Sequence, residues 1–160
     1  MNPATRPLGF VFKRLVLLFW TMFFTMVAVT NLVNIASALG IFDWTFLNSG
    51  NFAYLESVVA VYDIGSTLTK LALIGAFLIE ALAAVLFWRA LLSYGRQPWG
   101  KLAAFRALCW GTVVWTAFVF MTEFFVAYGS ESVFRELLAI MIASAIAIAL
   151  IPDEIEEHHQ

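Results

Sequence analysis

Four long apolar blocks, with Lys and Arg sorted almost entirely to one side of them, constrain this chain more than any other feature. The blocks occupy residues 12–39, 66–92, 102–128 and 133–151. A helix rising 1.5 Å per residue needs about 20 mostly apolar residues to cross the hydrocarbon core of a bilayer. The last block stops at Pro152, where the missing N–H and the ring disfavour further helix. The reading is an all-α fold: a four-transmembrane-helix bundle forming a single integral membrane domain, residues 1–160, with an acidic tail at 152–160. Only 12% of the chain is charged, against about a quarter in soluble domains. A soluble core of this composition could not cover its own surface.

Orientation follows from the basic residues near the helix ends. Arg6, Lys13 and Arg14 precede or open the first block, and Arg89, Arg96, Lys101 and Arg106 surround the joint between blocks two and three. The opposite side carries Lys70 and Arg135. Both termini are therefore expected in the cytoplasm of a multi-pass membrane protein. Ala36-Ser37-Ala38 imitates a signal-peptide cleavage site. The apolar stretch before it is about twice a normal h-region, so it is read as an uncleaved helix.

Several function classes fall away. The net charge is −2, without a basic stripe, so no nucleic acid partner is expected. Cys109 is the single cysteine, and the histidines are His158 and His159 in the tail. This leaves no internal disulfide, no cysteine-ligated cluster and no histidine-held haem inside the bilayer. No metal site and no cofactor are predicted, although a bound lipid, quinone or carotenoid is compatible with the aromatic content. Cys109 is read as a small core residue.

The polar residues inside the blocks are the functional candidates. A charge at the bilayer centre costs about 2.5–3.5 kcal/mol on insertion scales, and Glu80 lies near the middle of block two. Its helical face also holds Leu73, Ala76, Ala83, Ala84 and Phe87. Thr21, Thr25, Thr112 and Thr116 lie at similar depth and are its candidate hydrogen-bond partners. Asn31, Asn34, Lys70 and Glu123 form a second polar layer nearer the extracytoplasmic surface, in which Lys70 could pair with Glu123. Cys109, Thr112, Thr116 and Glu123 share a stripe read as the bundle-facing side of the third helix. Ala103, Ala107 and Gly111 repeat on that helix opposite the stripe, and Ala139, Ala143 and Ala147 repeat on the fourth. These small faces are expected to pack together. The six Trp and 16 Phe are expected mostly on the lipid-facing or core surface.

Residues 40–65 form the one long connection, on the extracytoplasmic side. They contain Asp43, Trp44, Asn51, Glu56 and Asp63 as candidate docking residues, and no Lys or Arg. The apolar content predicts a folded, membrane-hugging segment, with a short interfacial helix near 58–61.

These polar positions resemble a bacterial family of predicted small four-helix integral membrane proteins of unknown function. The resemblance rests on Asn31 and Asn34, then Asn51, Tyr54 and Asp63, then Glu80, Glu123-Phe124-Phe125, Arg135 and Pro152-Asp153. Where the family has a histidine and a methionine before the aspartate, Ser57 and Val61 stand here, and Phe124 replaces a Trp. The resemblance implies fold and topology, and no reaction.

Without a complete catalytic constellation, the chain reads as non-enzymatic. The leading expectation is an accessory or structural subunit of a larger membrane complex, such as an electron-transfer assembly. Its partners would be the lipid bilayer and other membrane protein subunits. The alternative is a small proton-coupled carrier using Glu80, Glu123 and Lys70, although no broken helix or paired repeat of the transporter type is visible. A third reading, a membrane enzyme with an arginine-rich site, gives way to Arg89, Arg96 and Arg106 as topology determinants.

Overall fold

A computed structural model describes residues 8–42, 44–96 and 99–152. Arg6, Asp43 and the acidic tail from Asp153, with its histidines, lie outside the described residues. The fold is helical, with no strand among the described residues. The elements are α1 (Leu8–Ala38), α2 (Asn51–Val59), a 3-10 turn (Ala60–Tyr62), α3 (Ser66–Ser93), α4 (Trp99–Phe124) and α5 (Tyr128–Leu150). The helices α1, α3, α4 and α5 are long and apolar enough to cross a membrane. Even α5, the shortest of them, extends about 34 Å at 1.5 Å per residue.

The second apolar block coincides with α3, while the joint between α4 and α5 is displaced from its expected place. Tyr128 opens α5 instead of closing α4. The amide of Ala127 donates to the Thr122 carbonyl (2.8 Å), and that of Val126 to the Glu123 carbonyl (3.2 Å). This pair is a Schellman ending. Its left-handed position is held by Val126 at φ 56°, a β-branched residue that signals no turn in a sequence. The first helix ends in the same way at Gly40, φ 70°, where glycine makes the stop legible. The short helix between the first two long ones, α2, begins at Asn51, earlier than the expected 58–61, and Val58 lies in its last turn.

The helices pack in the order α1, α3, α4, α5. The ring closes where Trp20 Nε1 of α1 donates to Ser144 Oγ of α5 (2.9 Å). Aromatic rings fill the centre. Phe24 stacks on Phe87 at 5.5 Å and on Trp115 at 5.4 Å between centroids, and Trp115 reaches Phe134 at 6.3 Å. Such pairs add about 0.5–1.5 kcal/mol each beyond area burial. Most of the Trp and Phe side chains keep some exposure, as expected, with Trp99 and Phe120 far out. Trp20, Phe24 and Phe87 are fully buried.

Two expectations about α4 and α5 are corrected. Cys109 and Glu123 are exposed, and α4 turns Ala104, Ala107, Leu108, Gly111, Val114 and Trp115 inward instead. The Thr112 hydroxyl donates to the Leu108 carbonyl of its own helix (2.9 Å), so it needs no partner across the bundle. On α5, Ala139 and Ala143 are exposed, and Met141, Ser144 and Ile148 are buried. Met141 fills the notch at Gly111, where an added Cβ would lie 2.5 Å from its Cε. One flexible thioether occupies the space that facing alanines were expected to share.

Candidate functional site

Three buried polar side chains, Asn31, Asn34 and Glu80, connect the middle of the bundle to the end where α1 hands over to α2. Glu80 sits midway along α3 and is 4% exposed. The face assigned to it is the packed one, with Leu73, Ala83, Ala84 and Phe87 buried beside it. Its Oε2 accepts a hydrogen bond from Asn31 Nδ2 of α1 at 2.5 Å. Asn31 Oδ1 in turn accepts from Asn51 Nδ2 of α2 at 2.6 Å. A continuous chain, Glu80–Asn31–Asn51, therefore ties three helices together.

One turn further along α1, Asn34 makes a second connection. Its Nδ2 donates to the Thr30 carbonyl (2.8 Å) and to Ser49 Oγ (3.0 Å). Its Oδ1 accepts from the Phe52 amide (3.4 Å). Helix N-termini leave their first amides without intrahelical partners, and α2 has Gly50 at its N-cap, with no side chain to help. The Asn34 amide group supplies that contact from another helix. Buried amides are costly unless bonded, and residues 49–52 supply part of the bonding of both asparagines, with Glu80 and the Thr30 carbonyl supplying the rest.

This geometry corrects the expected partners of Glu80. Thr21 donates to the Leu17 carbonyl and Thr25 to the Thr21 carbonyl, each at 2.6 Å. A threonine hydroxyl is short and folds back on the preceding turn, whereas the longer asparagine amide reaches across the helix gap. The two polar layers read from the sequence are one network at Asn31. Lys70 and Glu123 do not belong to it. Lys70 is half-buried against Ile35, Ala38 and Leu39, Glu123 is exposed, and no ion pair joins them among the described residues. Arg135 pairs instead with Glu131, one turn away at 3.1 Å.

Of the candidate docking residues, Trp44, Glu56 and Asp63 are exposed. Asn51 points inward to Asn31 and so serves the clamp rather than a surface. Asp43 lies outside the described residues. The same segment also reaches the far side of the bundle. The Tyr54 hydroxyl hydrogen-bonds that of Ser130 at the start of α5. Tyr62 Oη donates to the Phe124 carbonyl at the end of α4 (2.7 Å). Helix α2 thus lies as a cap across the bundle end. A groove of about 280 Å³ remains beside it, lined by Tyr54, Ser57, Val58, Val126 and Ser130.

Sequence reasoning missed Ser49, Tyr62, Ser130 and Ser144. A lone serine in an alanine–isoleucine helix, as at Ser144, is the one signal that was available. Chemically the site offers a single carboxyl group with amide neighbours. No group of three His, Cys, Asp or Glu side chains converges among the described residues. Comparison with family models, curated proteins and solved structures gives no match.

Proposed function

We propose that this chain is a non-enzymatic accessory subunit of a larger membrane complex in the bacterial inner membrane, with both termini in the cytoplasm and the α2 cap outside. The carrying observation is the use made of Glu80. Its carboxyl group accepts the Asn31 amide, whose oxygen in turn holds Asn51 of α2, and the grooves beside α2 and at the joint of α3 and α4 are lined by other side chains. Buried polar groups of this kind fix one arrangement of helices. The result is a rigid platform with an aromatic rim, in which Trp44, Phe46 and Tyr62 are half exposed or more.

Further support comes from α5, the least buried of the long helices. Its small Ala139–Ala143 face turns away from the bundle, where a neighbouring helix could approach closely. Five of the positions that carry the family resemblance, Asn31, Asn34, Asn51, Tyr54 and Glu80, are joined to the hydrogen bonds that hold the cap. An electron-transfer assembly is a suitable host for a subunit of this size.

The runner-up is a proton-coupled carrier, favoured by the same polar chain because it links mid-membrane to the cap. Two substitutions separate the readings. Glu80→Gln keeps a carbonyl oxygen for Asn31, whereas Glu80→Leu removes it. The accessory reading expects Glu80→Gln to retain the co-purifying partners and Glu80→Leu to lose most of them. Substrate-dependent proton flux in proteoliposomes that Glu80→Gln abolishes, with assembly intact, would establish the carrier instead.

A further inference from the structure

At the bundle end opposite the α2 cap, an open groove of about 530 Å³ is lined by the end of α3 and the start of α4. Three guanidinium side chains line it: Arg89 of α3, Arg96 of the connection and Arg106 of α4. Its remaining lining includes Trp99, Leu92 and Leu102, and no Asp or Glu. None of the three arginines has an ion-pair partner among the described residues. Three like charges around one concavity repel one another unless an anion sits between them.

A second groove, of about 410 Å³, continues from the first and shares Leu102 and Arg106 with it. It is lined by Leu86, Phe105, Cys109, Trp110 and Val113, so it is apolar apart from Arg106. At 1.5 Å per residue, Val113 lies about 21 Å along α4 from Trp99, well into the hydrocarbon. The Trp110 indole N–H is occupied by the Ile79 carbonyl (3.0 Å), which leaves its ring as an apolar wall. The structure therefore presents a cationic mouth at the membrane surface joined to an apolar trough beneath it.

We infer that this continuous groove binds one anionic phospholipid, with its phosphate among Arg89, Arg96 and Arg106 and an acyl chain along the trough. Basic pockets between transmembrane helices suit phosphate headgroups, and the planar guanidinium fork matches phosphate oxygens. Trp99 stands at the headgroup level, where its amphipathic ring is favoured. Topology alone asks only for positive charge on this side. It does not ask for three arginines around one groove, or for an apolar channel leading from them. The exposure of Cys109 also acquires a reason, since a small side chain there keeps the trough open.

The test is native mass spectrometry of the purified full chain, titrated with phosphatidylglycerol or with phosphatidylcholine of identical acyl chains. Wild type is expected to retain phosphatidylglycerol several-fold more strongly. Arg96→Gln, in an exposed turn that keeps Arg89 and Arg106, is expected to weaken it about fivefold. Cys109→Trp, which fills the trough and touches no charge, is expected to weaken it as well, whereas Arg135→Gln at the far end should not. Equal retention of both lipids, or unchanged binding in Arg96→Gln, would overturn the assignment. Displacement of the lipid by millimolar inorganic phosphate would also overturn it, because the ligand would then be a free anion. If Cys109→Trp fails to fold, Arg96→Gln and the lipid comparison decide the matter.

Discussion

Two buried tryptophans show how differently similar residues act here. The Trp20 indole N–H is satisfied by Ser144, and this bond links the first and last helices of the ring. The Trp115 indole N–H is buried with no hydrogen-bond partner among the described residues. An unmade bond leaves the desolvation of the group uncompensated, by about 1–3 kcal/mol. Trp20→Phe is therefore expected to lower stability by about 1 kcal/mol more than Trp115→Phe. Thermal unfolding of the two variants in one detergent measures the difference, and equal or reversed effects would contradict the assignment of the bonds. Sequence alone offers no way to distinguish the two, because both lie in apolar runs at the depth expected for a bundle core.

At the scale of elements, α2 is short and depends on its anchors. An isolated nine-residue helix is marginal in water. It persists through Asn31, Asn34, Tyr54 and Tyr62, which reach it from, or tie it to, the longer helices. Asn51→Ala removes the direct link to Asn31 and is expected to speed amide hydrogen exchange across residues 51–62 at least tenfold, with α4 little changed. Unchanged exchange would show that the cap is held by other contacts. The four long helices were legible because apolar runs of this length have few alternatives. The face of α3 around Glu80 was legible too, since its small residues recur at helical spacing. The partner of Glu80 was not. Depth along a helix can be counted from a sequence, but the reach of an amide compared with a hydroxyl, and the dip of α2 towards the bundle, depend on three-dimensional packing. On α4 the small face at Ala107 and Gly111 packs inward as expected, whereas the polar stripe does not mark the interior, because Thr112 satisfies itself within its helix.

Taken as a molecule, the chain has a hydrogen-bonded cap at one end and an arginine-lined groove at the other. The capped end ties α1, α2, α3 and the α4–α5 turn together through side-chain hydrogen bonds. The other end carries three arginines around a groove, with no ion-pair partner among the described residues. Much of the long-helix surface, including Val133, Ile140 and Ile146 of α5, faces outward to lipid or to neighbouring helices. The hydrogen-bonded cap, the outward small-residue face of α5 and the Glu80–Asn31 bond are what support the proposed accessory role. The measurement that tests this most directly is gentle-detergent purification of the tagged protein from its native membranes, read by mass spectrometry and an absorption spectrum. The account expects stoichiometric recovery of other membrane subunits, whose identity would name the host complex. A colourless homo-oligomer recovered without partners would contradict it.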